Sequence, residues 1–123
     1  MKIMQTNDEI HKKLQANVLK CLDYLIERAK SVKDEYKGFD VPWRRGYVNV
    51  WKNSYKHPQL VKITIQKPTY HDVKRDEMYC FDEDDCCDFL EGWEQMKRNF
   101  DKMIVENDMR NERTRKYAED FHV

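Results

Sequence analysis

Val61-Lys62-Ile63-Thr64-Ile65-Gln66 alternates strictly, every second residue being apolar and β-branched, while the chain on either side repeats its apolar residues every three or four positions. A period of two puts one set of side chains on one face of a strand, and a period near ~3.6 draws a stripe along a helix. A chain that carries both periods has to pack helix against sheet, and the order of the periods sets the order of the elements.

Ile10, Leu14, Val18, Cys21, Leu22, Leu25, Ala29 and Val32 form the first stripe and predict an amphipathic helix from about residue 7 to 35. Thr6-Asn7-Asp8-Glu9 reads as its capping box, with Gly38 and Pro42 as its stop. Alternation starts at Tyr47-Val48-Asn49-Val50-Trp51-Lys52, in residues 47–54, and resumes in residues 60–67. The turn-forming Ser54-Tyr55-Lys56-His57-Pro58-Gln59 between them completes a predicted hairpin, and Pro68 ends its second strand. Glu77-Met78-Tyr79-Cys80-Phe81 reads as a short third strand.

A second helical stripe follows in Cys86, Phe89, Leu90, Trp93, Met96, Phe100, Met103 and Ile104. Asp82-Glu83-Asp84-Asp85 stands just before it, where acidic residues complement the positive end of a helix dipole. From about residue 106 the stripe fades into a polar helical extension or tail. The expectation is an α+β fold in the order α-β-β-β-α, with a three-stranded antiparallel sheet and two long amphipathic helices on one face. At 123 residues the chain suits a single domain spanning 1–123.

That element order resembles the double-stranded-RNA-binding domain. The family places Gly-Pro-x-His in its loop and Lys-Lys-x-Ala-Lys at the start of its second helix. This chain has Lys56-His57-Pro58 and Asp82-Glu83-Asp84-Asp85 there, and an acidic helix start repels phosphate. The match is rejected.

Charge carries the next constraint. Lys+Arg and Asp+Glu are 23 each, so a surface that attracts nucleic acid or membrane everywhere is excluded. The balance is not local. Residues 41–75 hold Arg44, Arg45, Lys52, Lys56, Lys62, Lys67, Lys74 and Arg75 against Asp72 alone. Residues 76–91 hold Asp76, Glu77, Asp82, Glu83, Asp84, Asp85, Asp88 and Glu91 with no basic residue. A basic hairpin is thus followed by an acidic knuckle. The two either neutralise each other or each steer a partner.

Alternation also sorts the hairpin by face. With Val48, Val50, Val61, Ile63 and Ile65 toward the helices, Tyr47, Asn49 and Trp51 are left on the outer side. Flanked by Arg44, Arg45, Lys52 and Lys62, the Tyr47/Trp51 pair is the candidate partner-binding surface. The acidic residues Asp82, Asp84, Asp85 and Asp88 are the second candidate, as an imitation of phosphates.

No reaction is written in the sequence. Gly38, Gly46 and Gly92 are isolated, so no phosphate-cradling loop exists, and the acidic run lacks the glycine an EF-hand requires. His57, His71, Cys80, Cys86 and Cys87 match no standard zinc spacing. Neither catalytic residues, a metal nor a cofactor is expected. No stretch approaches the ~20 apolar residues of a membrane helix or a secretory leader's core. The expected setting is therefore cytoplasmic, without a membrane partner and with free thiols.

The expectation for function is a non-catalytic protein-binding factor. Its form would be a phage or mobile-element inhibitor, in the anti-CRISPR style, that blocks a host enzyme such as a defence nuclease. Nucleic-acid binding through the basic aromatic hairpin is the alternative. Self-association through Phe89, Trp93, Met96, Phe100 and Met103 would make a homodimer.

Overall fold

Helix α1 (Asn7–Lys30) carries Asp8 and Glu9 in its first turn and Arg28 and Lys30 in its last, matching both ends of its dipole. The structure, a computed structural model, describes residues 7–43, 46–55, 60–67 and 72–121, so Thr6 of the capping box lies outside it. Val18, Cys21, Leu22, Leu25 and Ala29 are the buried side of α1. The helix ends earlier than expected. Ser31 N–H donates to the Arg28 carbonyl at 3.2 Å and Val32 N–H to the Ala29 carbonyl at 3.1 Å, tightened bonds that close the last turn.

The next segment corrects the expected strand count. Tyr36–Trp43 is a strand, β1, and the sheet has four strands in the order β1-β2-β3-β4, all antiparallel. Gly38 and Pro42, which read as breakers, sit comfortably because β1 is an edge. A proline there has no ladder partner to lose on its open side, and Gly38 lies opposite Trp51. Phe39, Val41 and Trp43 are buried while Asp40 and Pro42 are exposed, the pattern of a half-buried strand.

β2 (Gly46–Asn53) and β3 (Leu60–Gln66) form the expected hairpin, pairing Val48 with Ile65 and Val50 with Ile63. Gly46 is required by close approach, since a Cβ there would lie 1.8 Å from the Gln66 carbonyl oxygen. β4 (Asp72–Lys74) adds only three residues, opposite Thr64–Gln66. The strand expected at Glu77–Phe81 does not form. Arg75–Cys80 is instead a 3-10 helix, which explains why Met78 and Phe81, three residues apart, are both buried.

Helix α2 (Glu83–Phe121) has 39 residues and spans ~58 Å at ~1.5 Å per residue. The polar stretch beyond 106 is therefore continuous helix. Asn107 and Asn111 still hold the body through Asp34, and Glu112–Ala118 stand exposed.

Both helices cover the sheet face that presents Phe39, Val41, Trp43, Val48, Val50, Ile63, Ile65 and Val73. Phe39 meets Phe100 edge-on at 5.5 Å between ring centres, and Trp43 packs against Phe81 and Phe89. Each such fully buried side chain contributes about 1.5–3 kcal/mol, with ~0.5–1.5 more for a well-placed aromatic pair. The stripe weighed as an optional dimer surface packs in the core: Phe89, Met96 and Phe100 are buried, and Trp93 and Met103 pack against them. Tyr24 Oη donates to both Asp101 oxygens at 2.9 and 3.0 Å, and Arg28 Nε donates to Oδ1 at 3.1 Å, which fixes α1 on α2.

Candidate functional site

With both helices on one face, strand register decides what the other face presents. Its rows run Gly38–Trp51–Lys62, Asp40–Asn49–Thr64–Lys74 and Pro42–Tyr47–Gln66–Asp72. Tyr47 and Trp51 therefore point away from the helices. Tyr47 is 41% exposed and Tyr36, at the end of β1, is 61% exposed.

Trp51 is the anchor of this face. Its ring lies over Gly38, where the lack of a side chain leaves room, with Cδ1 3.6 Å from the position a Cβ would take. Tyr36 meets it edge-on at 5.3 Å and 87°, and Lys62 Nζ stands 5.9 Å from the ring centre. The indole is thus half-buried and held from three sides. A ring fixed this way loses little entropy on contact with a partner. Beside it, Asn49 Nδ2 donates to Asp40 Oδ1 at 2.8 Å.

Lys52 is a correction. It shares a face with Val48 and Val50, is 5% exposed, and points to the helix side. Its ammonium donates to the carbonyls of Lys30 and Val32, where α1 ends. The Lys30 carbonyl has no partner in the helix and lies at the negative end of its dipole, with the Val32 carbonyl just beyond, so a buried lysine is stable there. Period-two counting places Lys52 with the valines; its charge suggested the opposite.

The acidic candidates divide. Asp82 and Asp84 are exposed and Asp88 is half-buried. Asp82 Oδ1 accepts from Asp85 N–H at 2.8 Å, and Asp85 Oδ2 accepts from Asp82 N–H at 3.2 Å, a reciprocal cap on α2. Asp85 also pairs with Lys67 at 2.5 Å and is 5% exposed, so it is committed to the fold and unavailable to a partner. Arg75 is similarly paired with Asp23 at 2.7 Å. Among the described residues, the basic segment and the acidic knuckle thus partly neutralise each other through Lys67 and Asp85. The outer face mixes Lys62 and Lys74 with Asp40 and Asp72.

Arg44 and Arg45 lie outside the described residues, as do Lys56, His57, Pro58 and His71. Sequence reasoning missed Tyr36 and the Asp40–Asn49 pair because it missed β1. The alternation of Phe39, Val41 and Trp43 was the signal that would have found them.

Among the described residues no group of three or more His, Cys, Asp or Glu side chains is arranged to hold a metal. No helix among them is long and apolar enough to cross a membrane. All four cysteines are free: Cys21 and Cys86 are buried, Cys80 and Cys87 exposed. Burial, reinforced by Glu94 at Cys21 and Asp85 at Cys86, pushes both buried thiols up to about 11. A groove of about 360 Å³ runs along β3 beside β4 and is lined by Ile26, Val61, Lys62, Lys74 and Arg75 among others. No family model, no curated protein and no solved structure matches this chain.

Proposed function

We propose that the protein is a non-catalytic binding factor that presents the outer sheet face to a protein partner. The observation that carries this reading is Trp51 clamped between Tyr36, Gly38 and Lys62 on a face that neither helix covers. Aromatic anchors with a mixed polar and charged rim are the composition of interface hot spots. Tyr36 extends the apolar area around Trp51, Tyr47 stands further along the same face beyond Asn49, and Asp40, Lys62 and Lys74 supply a rim of both signs. Acting by occupation of a partner's surface needs no cofactor or nucleophile. The form of action proposed, by analogy with small accessory domains, is inhibition of a host enzyme, as a phage or mobile element would encode. Of the four acidic candidates, Asp82 and Asp84 are the exposed ones offered for phosphate mimicry.

The nucleic-acid alternative is weaker for a specific reason. Lys52, Lys67 and Arg75 are already engaged by helix carbonyls, Asp85 and Asp23. That leaves Lys62 and Lys74 as described cations on the sheet face.

The test is capture from the native host with wild type and with Tyr47→Ser/Trp51→Ser, melting curves confirming that the variant folds. The expected result is a protein retained by wild type and reduced about tenfold or more by the variant, the scale of a hot-spot loss. Equal retention by both would remove the outer face from the proposal. Recovery of nucleic acid, released steeply by salt, would favour the alternative.

A further inference from the structure

The sheet has a gap on its β3 side. β4 pairs only with Thr64–Gln66, so Leu60–Ile63 has β2 on one side and no strand on the other among the described residues. After Lys74 the chain turns into the 3-10 helix, which lies against β3 and α1 but adds no further strand pairing to β3. In an antiparallel ladder alternate residues turn N–H and C=O to each side, so alternate residues of this stretch turn their backbone groups away from β2.

The groove of about 360 Å³ lies at this gap. Ile26 of α1, Val61 and Ile63 give it an apolar wall on the helix side. Lys62 and Lys74 line it from the outer side, both exposed, and neither has a carboxylate partner among the described residues. Arg75 is paired with Asp23, and Asp76 stands at the end of the groove.

We propose that this groove binds an extended acidic peptide segment of a partner protein, which adds to the sheet as a strand continuing the line of β4 along Leu60–Ile63. The occupant's chemistry follows from the alternation. A strand paired here places every second side chain inward, against Ile26 and Val61, and those have to be apolar. The side chains between them face outward beside Lys62 and Lys74, where carboxylates are complementary. The backbone supplies affinity independent of side chains, and the two alternating sets supply selectivity. This is a second contact at the sheet's edge; it shares Lys62 and Lys74 with the rim of the outer face, and the peptide probe tests it apart from Trp51.

The probe is fluorescein-labelled acetyl-Val-Glu-Val-Glu-Val-amide, titrated with the full chain and followed by anisotropy. Saturable binding is expected. Methylating the amide nitrogens that face β3 should weaken it about tenfold or more through lost ladder bonds. Replacing the probe's glutamates by lysines should weaken it about tenfold for two ion pairs. With K62E/K74E the preference should invert, so that the lysine peptide binds better than the glutamate peptide. Melting curves confirm that K62E/K74E folds, since the two changes lower the net charge by four and an unfolded acidic chain would also attract the lysine peptide. Absence of saturable binding, equal binding of the methylated peptide, or an unchanged preference in K62E/K74E would each overturn the proposal.

Discussion

Lys67, the residue after β3, holds Asp85 in the first turn of α2, its Nζ 2.5 Å from Oδ2. One bond thereby joins the basic hairpin to the acidic helix start that lie eighteen positions apart in sequence. The side chains are 17% and 7% exposed, so the pair is largely desolvated, and Lys67 also lies over the Phe81 ring at 4.9 Å.

Asp85→Ala should therefore destabilise the fold far more than its neighbour. Removing one partner of a buried pair strands the other, and here the Asp82 N–H of the helix cap loses its acceptor as well. A loss of about 2–4 kcal/mol is expected in urea unfolding. Asp84→Ala, at an exposed site, should stay within about 0.5 kcal/mol of wild type. Similar values for the two variants would show that the Lys67 contact carries little weight.

Lys52 and Lys62 are a matched pair of lysines with opposite fates. Lys52→Met keeps the apolar stem and removes the donor to the Lys30 and Val32 carbonyls. It should cost about 1–3 kcal/mol. Lys62→Met should leave stability nearly unchanged. Denaturation curves in which Lys62→Met is the more damaging change would contradict the inward placement of Lys52.

Asp34 ties the α1–β1 connection to α2. Asn107 Nδ2 donates to it at 2.7 Å, and Asn111 Nδ2 reaches its two oxygens at 2.9 and 2.8 Å. Burial alone would raise its carboxyl. The hydrogen bonds from Asn107 and Asn111, with the charges of Lys37 and Lys52, outweigh that and hold it below the usual carboxylate range. A carboxyl depressed in the folded state stabilises above its unfolded value of ~3.9 and loses that contribution as pH falls through its folded value. Wild type should accordingly be more stable than Asp34→Asn at pH 7, with the difference shrinking from about pH 4 downward. A gap between them that is constant from pH 7 to pH 2 would contradict this assignment.

The thiols should divide by burial. At pH 8 a thiol pushed up to about 11 is only ~0.1% ionised, and the thiolate is the species that reacts. Iodoacetamide should modify Cys80 and Cys87 in the native protein and reach Cys21 and Cys86 only after denaturant is added, as read by peptide mass spectrometry. Alkylation of Cys86 at the rate of Cys87 in native conditions would mean that the start of α2 opens readily.

Periodicity made much of this fold legible. The stripes through Leu22 and Phe100 and the alternation through Val48 and Ile63 follow from the geometry of a single backbone segment, so each could be read without knowing its neighbours. Tertiary structure alone decided what depended on two segments meeting. Gly38 and Pro42 are breakers in isolation and acceptable on an edge strand, and Met78 and Phe81 suit a strand as well as a 3-10 turn. Charge is the plainest case. A count along the chain sees Lys52, Lys67 and Asp85 as surface patches, whereas the fold turns them into a helix cap and a buried ion pair, because electrostatic energy depends on distance and solvent exposure and neither is a property of sequence order.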